Sequence, residues 1–390
     1  MGNQIVLIGP TPPPYNGQSV AFQMLIEGLR ERNIPHAIID TSTKKKIESG
    51  AVTLGRIVEY AVIMMKYLRR TMGGRKTVYI TISQLRAGFF RDLAVICFAR
   101  LKGHRIVCHL HGGNYDRFYA AQPPWLRWLI RRAMLMADAI LVLGEGLRAM
   151  FEFEPRLKGR VHVVPNGLPV ELETECVPKS LPDDSSGPIR LLYLSNLIES
   201  KGYLDLLKAV DLLVHKEGLN VECHFCGLFR ANKSDDMLVK NPEHAREHFE
   251  DFIRAHQLQG HVFYHGVVLR EEKSVLLKEA HFFVLSTYYD REGQPVSIIE
   301  AMAYGTVVIA TRYRAIPDLI IEGKTGYFIP PREPEAIAKK VVETVADKER
   351  YREMSRETVR HFRSRFTRDQ HLRRIIPFLH GDHFEIISNG

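Results

Sequence analysis

The stretch FFVLSTYYDREGQPVSIIEAMAYGTVVIA, residues 282–310, contains a strand, a loop, a helix and a second strand in that order. Residues 282–286 form a short, almost wholly apolar run, which is typical of a fully buried strand. Gly293 and Pro295 interrupt this pattern, and because Pro suits the first turn of a helix, a helix is expected to follow. Residues 307–310 then repeat the buried-strand pattern. Short strands joined through helices predict an α/β protein with a parallel sheet.

The same alternation continues through the rest of the chain in two blocks. Between them, PKSLPDDSSGP (residues 178–188) has the composition of a linker. We predict two doubly wound, Rossmann-like domains, residues 1–180 and 181–365, facing a central cleft at the C-terminal ends of their strands. The Arg-rich residues 366–390 either pack back on the first domain or remain loose. The expected strands are 5–9, 36–40, 77–82, 105–109, 139–143, 161–164, 189–194, 221–226, 262–264, 282–286 and 307–310.

Composition is that of a soluble globular protein, with 45% hydrophobic and 25% charged residues among 390. No run of apolar residues is long enough to predict a membrane span, and the N-terminus lacks the basic start of a secretory signal. Five scattered cysteines do not indicate a disulfide framework. A reducing cytoplasm is therefore the expected location.

The formal charge of +9 is unevenly distributed. Residues 1–180 hold 25 lysines and arginines against 14 acidic residues, whereas residues 181–390 hold 29 against 31. A basic first half indicates an anionic partner, such as a phosphorylated substrate, a lipid surface or nucleic acid. A merely solvated basic surface explains the same count equally well.

The loop and helix after residue 286 carry the chemistry of the deciding stretch. The backbone N–H groups of a first helical turn have no partner within the helix, so the residues around Gly293 form a ready anion site. Glu300, farther along the helix, can accept two hydrogen bonds from a vicinal diol such as a ribose. From spacing alone, Glu292 is equally well a loop charge and Glu300 a solvated helix residue.

Two further loops follow predicted strands. Lys201 precedes Gly202 after the strand at 189–194, and a lysine beside a glycine that allows close backbone approach is a candidate pyrophosphate contact. Gly17 opens the first helix in a similar way. The alternatives are a surface lysine and a tight strand-to-helix turn.

Two histidines close another strand, in HLHGGN (residues 109–114). His109 and His111 fall on the same side by strand alternation, which makes a metal pair conceivable. No third ligand follows at a usable spacing, so the metal interpretation is weak. A core histidine satisfied by its neighbours is the alternative.

The segment EGQPVSIIEAMAYGTVVIAT (residues 292–311) resembles the Glu-x7-Glu motif of the retaining family-4 glycosyltransferases, which have the GT-B fold. Lys201-Gly202 is similar to the second half of the family's phosphate element, although Asn196 stands where Arg is frequent. The Gly17 loop resembles the family's two-glycine loop with one glycine only. The resemblance implies three catalytic residues, Glu292 and His111 at the donor sugar and Lys201 at the phosphates. It also implies a donor site of Gly17, Asn196, Lys201, Gly293, Gln294, Pro295, Val296, Ser297 and Glu300, the last binding the ribose hydroxyls.

The resemblance further implies transfer of a sugar, with retention, from a UDP- or GDP-sugar to a glycan or lipid-linked acceptor in bacterial surface polysaccharide biosynthesis. No metal or other cofactor and no nucleic acid is expected. The alternatives are a basic membrane- or nucleic-acid-binding protein with a degenerate sugar-nucleotide site, and a GT-B epimerase or phosphorylase.

An anionic membrane surface is the remaining predicted partner, which would place the protein at the inner face of the cell membrane. Trp125, Trp128 and Leu129 share one helical face, with Arg127, Arg131 and Arg132 nearby. Together with Lys44–Lys46 they suit an anionic bilayer. An ordinary core helix explains the same pattern.

Overall fold

The computed structural model describes residues 4–13, 16–42, 54–169, 178–182, 187–232 and 236–380, with the backbone alone for residues 54–61. The chain divides into two compact units, residues 1–167 with 368–390, and residues 168–367. Each unit contains one parallel six-stranded sheet between helices, so the predicted α/β class with two doubly wound sheets is confirmed.

The first sheet has the order β2-β1-β3-β4-β5-β6 and all its strands are parallel. Its strands are β1 Ile5–Gly9, β2 His36–Asp40, β3 Thr77–Thr81, β4 Arg105–His109, β5 Ala139–Val142 and β6 Val161–Val163. Its helices are α1 Gly17–Glu31, α2 Leu54–Arg70, α3 Arg86–Leu101, α4 Tyr115–Ala120 and α5 Pro124–Met136. The order reverses between β1 and β3, so ligands are expected at the carboxyl ends of these strands.

The second sheet has the order β12-β11-β10-β7-β8-β9, which is the order of a dinucleotide-binding fold. Its strands are β7 Ile189–Leu194, β8 Val221–Cys226, β9 Val262–Gly266, β10 Phe282–Leu285, β11 Val307–Thr311 and β12 Gly326–Ile329. Its helices are α6 Tyr203–Asp211, α7 Pro242–Ala255, α8 Arg270–Glu279, α9 Val296–Ala303, α10 Pro334–Val345 and α11 Lys348–Arg365. The order reverses between β7 and β10, and the loops after these two strands therefore meet at one end of the sheet.

The boundary between the units lies before the predicted linker. The Leu168 N–H donates to the Phe366 carbonyl at 3.0 Å, and Leu168 is part of the second hydrophobic core. The Lys179 N–H donates to Ser355 Oγ at 2.7 Å, also within the second unit. Residue 180 is therefore inside the second unit, because Leu168 before the linker and Lys179 within it are both bonded to that unit.

A last helix, α12 Arg368–His380, belongs to the first unit. Leu372, Ile375 and Leu379 are buried in the first core, and Arg105 Nε donates to the Phe378 carbonyl at 3.0 Å. A Cβ on Gly28 of α1 would lie 2.5 Å from the Leu372 side chain, so the glycine makes room for this helix. Residues 368–380 therefore pack on the first unit, which was one of the two alternatives for the C-terminal region.

Candidate active site

The two loops at the reversal of the second sheet bring Lys201 and Glu292 together. Lys201 follows β7 and Glu292 follows β10, and these strands pair directly. Lys201 Nζ lies 3.2 Å from Glu292 Oε2 and 3.1 Å from Ser195 Oγ, and it lies 5.1 Å from the centre of the Tyr289 ring. The lysine side chain is 16% exposed and the glutamate 9%. An ammonium and a carboxylate thus face each other in a largely buried position at the end of the sheet.

Gly202 allows this approach. Its φ of +80° is in the left-handed region that favours glycine, and it is the N-cap residue of α6, directly after Lys201. A Cβ at Gly202 would lie 2.0 Å from Ser286 Oγ, which donates a hydrogen bond to the Gly202 carbonyl. The loop after β7 can therefore contact the loop after β10 only with glycine at this position.

A carboxylate that sequence reasoning missed holds the turn before Lys201. Glu199 Oε2 accepts hydrogen bonds from the N–H groups of Met237, Leu238 and Val239 at 2.7–3.0 Å. The Ser200 N–H donates to Asp236 Oδ1 at 3.2 Å. These contacts fix the backbone that presents Lys201. No spacing signal predicts them, because the partners lie more than thirty residues apart.

The segment from Glu292 to Pro295 is buried and leads into α9. Pro295 occupies the N-cap position, one residue before the helix rather than in its predicted first turn, and no side chain caps the helix. Val296 and Ser297 in the first turn are half-buried. The helix N-terminus thus keeps backbone donors and the positive end of its dipole for an anion.

Glu300 is bonded to a residue that the sequence did not single out. Glu300 Oε1 lies 2.6 Å from Lys273 Nζ of α8, and Glu300 is only 9% exposed. The alternative of a solvated helix residue is therefore wrong. Its neighbours Ile299 and Ala301 are fully buried, so the helix is held firmly against the second core.

Asn196 is exposed, and its Oδ1 accepts from the Leu228 N–H at 3.3 Å. Nearby, Gly227 has a φ of +140°, and a Cβ there would lie 2.0 Å from the Ser195 carbonyl oxygen. Asn196 thus helps to join two loops and brings no positive charge. The positive charge that Arg frequently supplies at this position in the family is therefore missing here.

In the first unit, the residue implied to reach the donor sugar lies in a buried group of aromatic rings. The rings of His109 and His111 are 4.1 Å apart, as strand alternation predicted, and Tyr79 Oη lies 2.7 Å from His109 Nδ1. Burial, and secondarily the charge of His371, lowers the pKa of His111 to about 3. His111 is therefore neutral and can offer a hydrogen bond but no charge. Within the described residues, no group of three or more His, Cys, Asp or Glu side chains could hold a metal ion.

Gly17 is the first residue of α1, and the turn before it is closed by its own side chains. The Ser19 N–H donates to Asn16 Oδ1 at 3.0 Å, and the Asn16 N–H donates to Ser19 Oγ at 3.1 Å. This capping box uses one of the helix's free donors. The turn is well defined, and it has less capacity for an anion than the N-terminus of α9.

The tryptophans of α5 are at the surface. Trp125 is 58% and Trp128 56% exposed, whereas Leu126 and Ile130 of the same helix are buried. Helix α5 is therefore an ordinary core helix on one face only, and its tryptophans lie on the exposed face. Leu129 is half-buried, and Lys44–Lys46 lie outside the described residues.

Comparison with known families follows the division of the chain. The family Glycosyl transferases group 1 matches residues 182–361, and Glycosyltransferase Family 4 matches residues 15–172. The two matches together cover most of the chain. The chain therefore belongs to the glycosyltransferases of these families, and the predicted family membership is confirmed.

Individual relatives are distant. WcaL of Salmonella typhimurium, whose name assigns it to colanic acid biosynthesis, is 27% identical over 175 residues, 43% of each chain. The amylovoran biosynthesis glycosyltransferase AmsK of Erwinia amylovora is 27% identical over 171 residues, 43% of this chain and 38% of AmsK. The matched part thus spans less than half the length of these curated relatives. Anabaena HepE, whose crystal structure is a complex with UDP, is 16% identical, with a TM-score of 0.66 over 97% of this chain and 99% of HepE. This likeness confirms the GT-B fold.

Proposed function

We propose that this chain is a retaining glycosyltransferase that moves a sugar from a nucleoside diphosphate sugar to a glycan or lipid-linked acceptor in bacterial surface polysaccharide biosynthesis. The observation that carries the proposal is the contact of Lys201 with Glu292 beside the uncapped N-terminus of α9. A cation and open backbone donors at the reversal of a Rossmann-type sheet suit a diphosphate. The names of WcaL and AmsK support the polysaccharide pathway, and the UDP complex of HepE supports the donor class.

In the proposed mechanism the chain stabilises the leaving group. The bond from the anomeric carbon to the diphosphate breaks, the acceptor oxygen bonds to the same face, and the acceptor proton passes to the leaving phosphate oxygen. Lys201 and the N–H groups of α9 stabilise the charge that develops on the diphosphate. Glu292 binds sugar hydroxyls and is already held by Lys201, and neutral His111 donates a hydrogen bond to the sugar. Amides and Lys201 neutralise the phosphates in this scheme, so no metal is needed.

A panel of UDP- and GDP-sugars tests the proposal. We expect at least one to raise the melting temperature of the protein and to be consumed with a polyprenyl-linked or oligosaccharide acceptor, and Glu300→Ala to abolish this turnover. If no nucleotide sugar stabilises the protein, the proposal is wrong. If the wild type turns over no nucleotide sugar and binds only heparin, the basic binding protein is favoured instead.

We propose in addition that the first unit rests on an anionic membrane surface. Helices α2, α3 and α5 carry ten lysines and arginines against two acidic residues, and one of the two, Asp92, is buried. Phe90 of α3 stacks on Trp125 at 6.4 Å, so the aromatic surface continues from α3 to α5. Among the side chains that the structure describes, the large apolar ones exposed on these helices and at their ends are Val62, Met65, Leu68, Met72, Leu85, Phe90, Phe98, Leu101, Trp125 and Trp128. Apolar side chains among arginines fit an interface of lipid headgroups and acyl chains.

No helix within the described residues is long and apolar enough to cross a membrane.

Sedimentation with vesicles of phosphatidylcholine and phosphatidylglycerol tests the membrane proposal. Wild type should sediment with these vesicles at low salt and remain in solution with phosphatidylcholine alone. Joint replacement of Trp125 and Trp128 by Ser should reduce binding about tenfold or more. Lys339→Glu, an exposed charge reversal in the second unit, is the matched control. Equal binding of the wild type and the tryptophan variant would contradict the proposal.

A further inference from the structure

The contact between Lys273 and Glu300 differs from an ordinary surface ion pair. Lys273 Nζ lies 2.6 Å from Glu300 Oε1, and the two side chains are 25% and 12% exposed. By contrast, Lys339 and Glu343 on α10 lie 3.9 Å apart, with side chains 72% and 45% exposed. Exposed pairs contribute little, whereas a pair withdrawn from water is strongly affected when one partner is removed. Glu300 thus depends on Lys273 as a surface glutamate would not.

The surroundings of the pair fix both of its helices. Helix α9 is buried on both sides of Glu300, which holds the glutamate backbone in place. Tyr304 Oη lies 3.2 Å from Ser274 Oγ, the residue next to Lys273, and joins α8 to the end of α9. The remaining freedom at Glu300 is the rotation of its carboxylate, and Lys273 restricts that rotation.

The hydrogen-bonding capacity of the carboxylate defines what Lys273 does. A carboxylate has two oxygens with about four acceptor positions, and a ribose diol needs two of them. Lys273 occupies one position on Oε1 and leaves Oε2 available. With the ammonium in place, the carboxylate keeps a single orientation. Without it, the carboxylate can turn toward water and loses the alignment that two adjacent hydroxyls require.

We infer that Lys273 is a positioning residue that orients Glu300 toward both hydroxyls of the donor ribose, and so sets the preference for ribonucleotides over deoxyribonucleotides. The inference rests on the proposed function, since it takes Glu300 as the ribose ligand. In the proposed mechanism Lys273 does not contact the atoms that react. Its effect is therefore expected on nucleotide affinity and on the discrimination of the sugar, and less on the rate with saturating donor.

Calorimetric titration with UDP and GDP, and with their 2′-deoxy and 3′-deoxy counterparts, tests the inference on the full chain. The wild type should bind its preferred ribonucleotide about tenfold more tightly than either deoxy form, because each hydroxyl bonds to a charged acceptor. Lys273→Met should weaken ribonucleotide binding about tenfold and nearly remove the preference. Lys273→Arg, which keeps a cation at the same place, should restore most of both.

Two controls separate the possible failures. Lys339→Met removes a lysine from a surface pair with glutamate and should leave affinity and preference unchanged. If Glu300→Gln also leaves the ribose preference unchanged, Glu300 is not the ribose ligand, and the inference falls together with that part of the proposed function. If Glu300→Gln loses the preference while Lys273→Met keeps it, only the inference is overturned. Tighter ribonucleotide binding by Lys273→Met would likewise overturn the inference, since the ion pair would then weaken the binding of the ribose by Glu300.

Discussion

The two units share a parallel six-stranded sheet but differ in the electrostatics of their candidate residues. In the second unit the key side chains are charged and paired, Lys201 with Glu292 and Lys273 with Glu300. In the first unit His111 is a half-buried, neutral ring beside His109. The net charges show the opposite distribution, since the first half of the chain is basic and the second half is nearly neutral. A diphosphate needs fixed charge and amides, whereas sugar hydroxyls need only hydrogen bonds, so net charge does not locate the donor site.

The largest effect is expected at Lys201, the cation that we propose stabilises the diphosphate. Lys201→Met removes this cation and leaves the buried Glu292 unpaired, so kcat/KM should fall about 100- to 1,000-fold. Steady-state kinetics with the donor found in the panel measures the change. Lys208→Met, an exposed position on α6, is the matched control. Retention of activity within a few-fold would show that the charge of this unit is not used in the reaction.

A half-buried lysine away from the site, Lys179, tests whether charge in the second unit also supports the fold. Lys179 Nζ donates to the carbonyls of Leu277 and Ala280 and to Thr306 Oγ1 at 2.5–2.7 Å. Lys179→Met removes the ammonium donor from these three acceptors, and the free energy of unfolding should fall by about 1–3 kcal/mol. Urea unfolding measures this loss. An unchanged midpoint would show that the three contacts contribute nothing to stability.

His111 allows a sharper test of the neutral site in the first unit. His111→Ala should lower kcat/KM about tenfold, because one uncharged hydrogen bond to the sugar is lost. Since the pKa of His111 is about 3, its protonation should leave no inflection in the pH–rate profile between pH 5 and 8. His380→Ala at the exposed end of α12 is the control. A profile whose acid limb disappears in His111→Ala would show that this histidine works as a charged group.

The last expected effect concerns the stability of the first unit at low pH. Burial lowers the pKa of His371 to about 4, below the 6.5 of an unperturbed histidine. The folded state therefore binds fewer protons than the unfolded chain, and stability is highest above pH 6.5 and falls as the pH drops toward 4. The loss is about 1.4 kcal/mol per pH unit for this residue within that window. Unfolding at pH 7 and pH 5 should show a smaller difference in His371→Gln, and an equal difference would contradict the assignment.

Local pattern was sufficient for most of the fold. Ile5–Gly9 and Val221–Cys226 have the predicted bounds because the first is a short apolar run and the second alternates apolar with polar residues, and a loop follows each. Local pattern does not show where one helix type ends, since the α-helix that begins at Tyr203 ends at Asp211 and the chain continues as a π-helical turn, Leu212–Lys216. Strand Gly326–Ile329 was not predicted, since its four residues give too short a pattern.

The candidate site divides in the same way. Glu292, Glu300 and Lys201 could be named from the sequence because they stand in short motifs with fixed spacing, and their roles stay predictions. Lys273 and Glu199 could not be named. Each acts through a partner on another element, and nothing within a few residues of either one signals that partner.

The sequence alone determined the alternation of strands and helices, the two-domain plan and the family motif at Glu292–Glu300, because these depend on neighbours along the chain. The tertiary structure decided that Lys201 meets Glu292, that Lys273 holds Glu300, and that Trp125 and Trp128 face outward. Contacts between distant residues follow from the order of strands in the sheet. That order is set by packing across the whole unit, which no local spacing records.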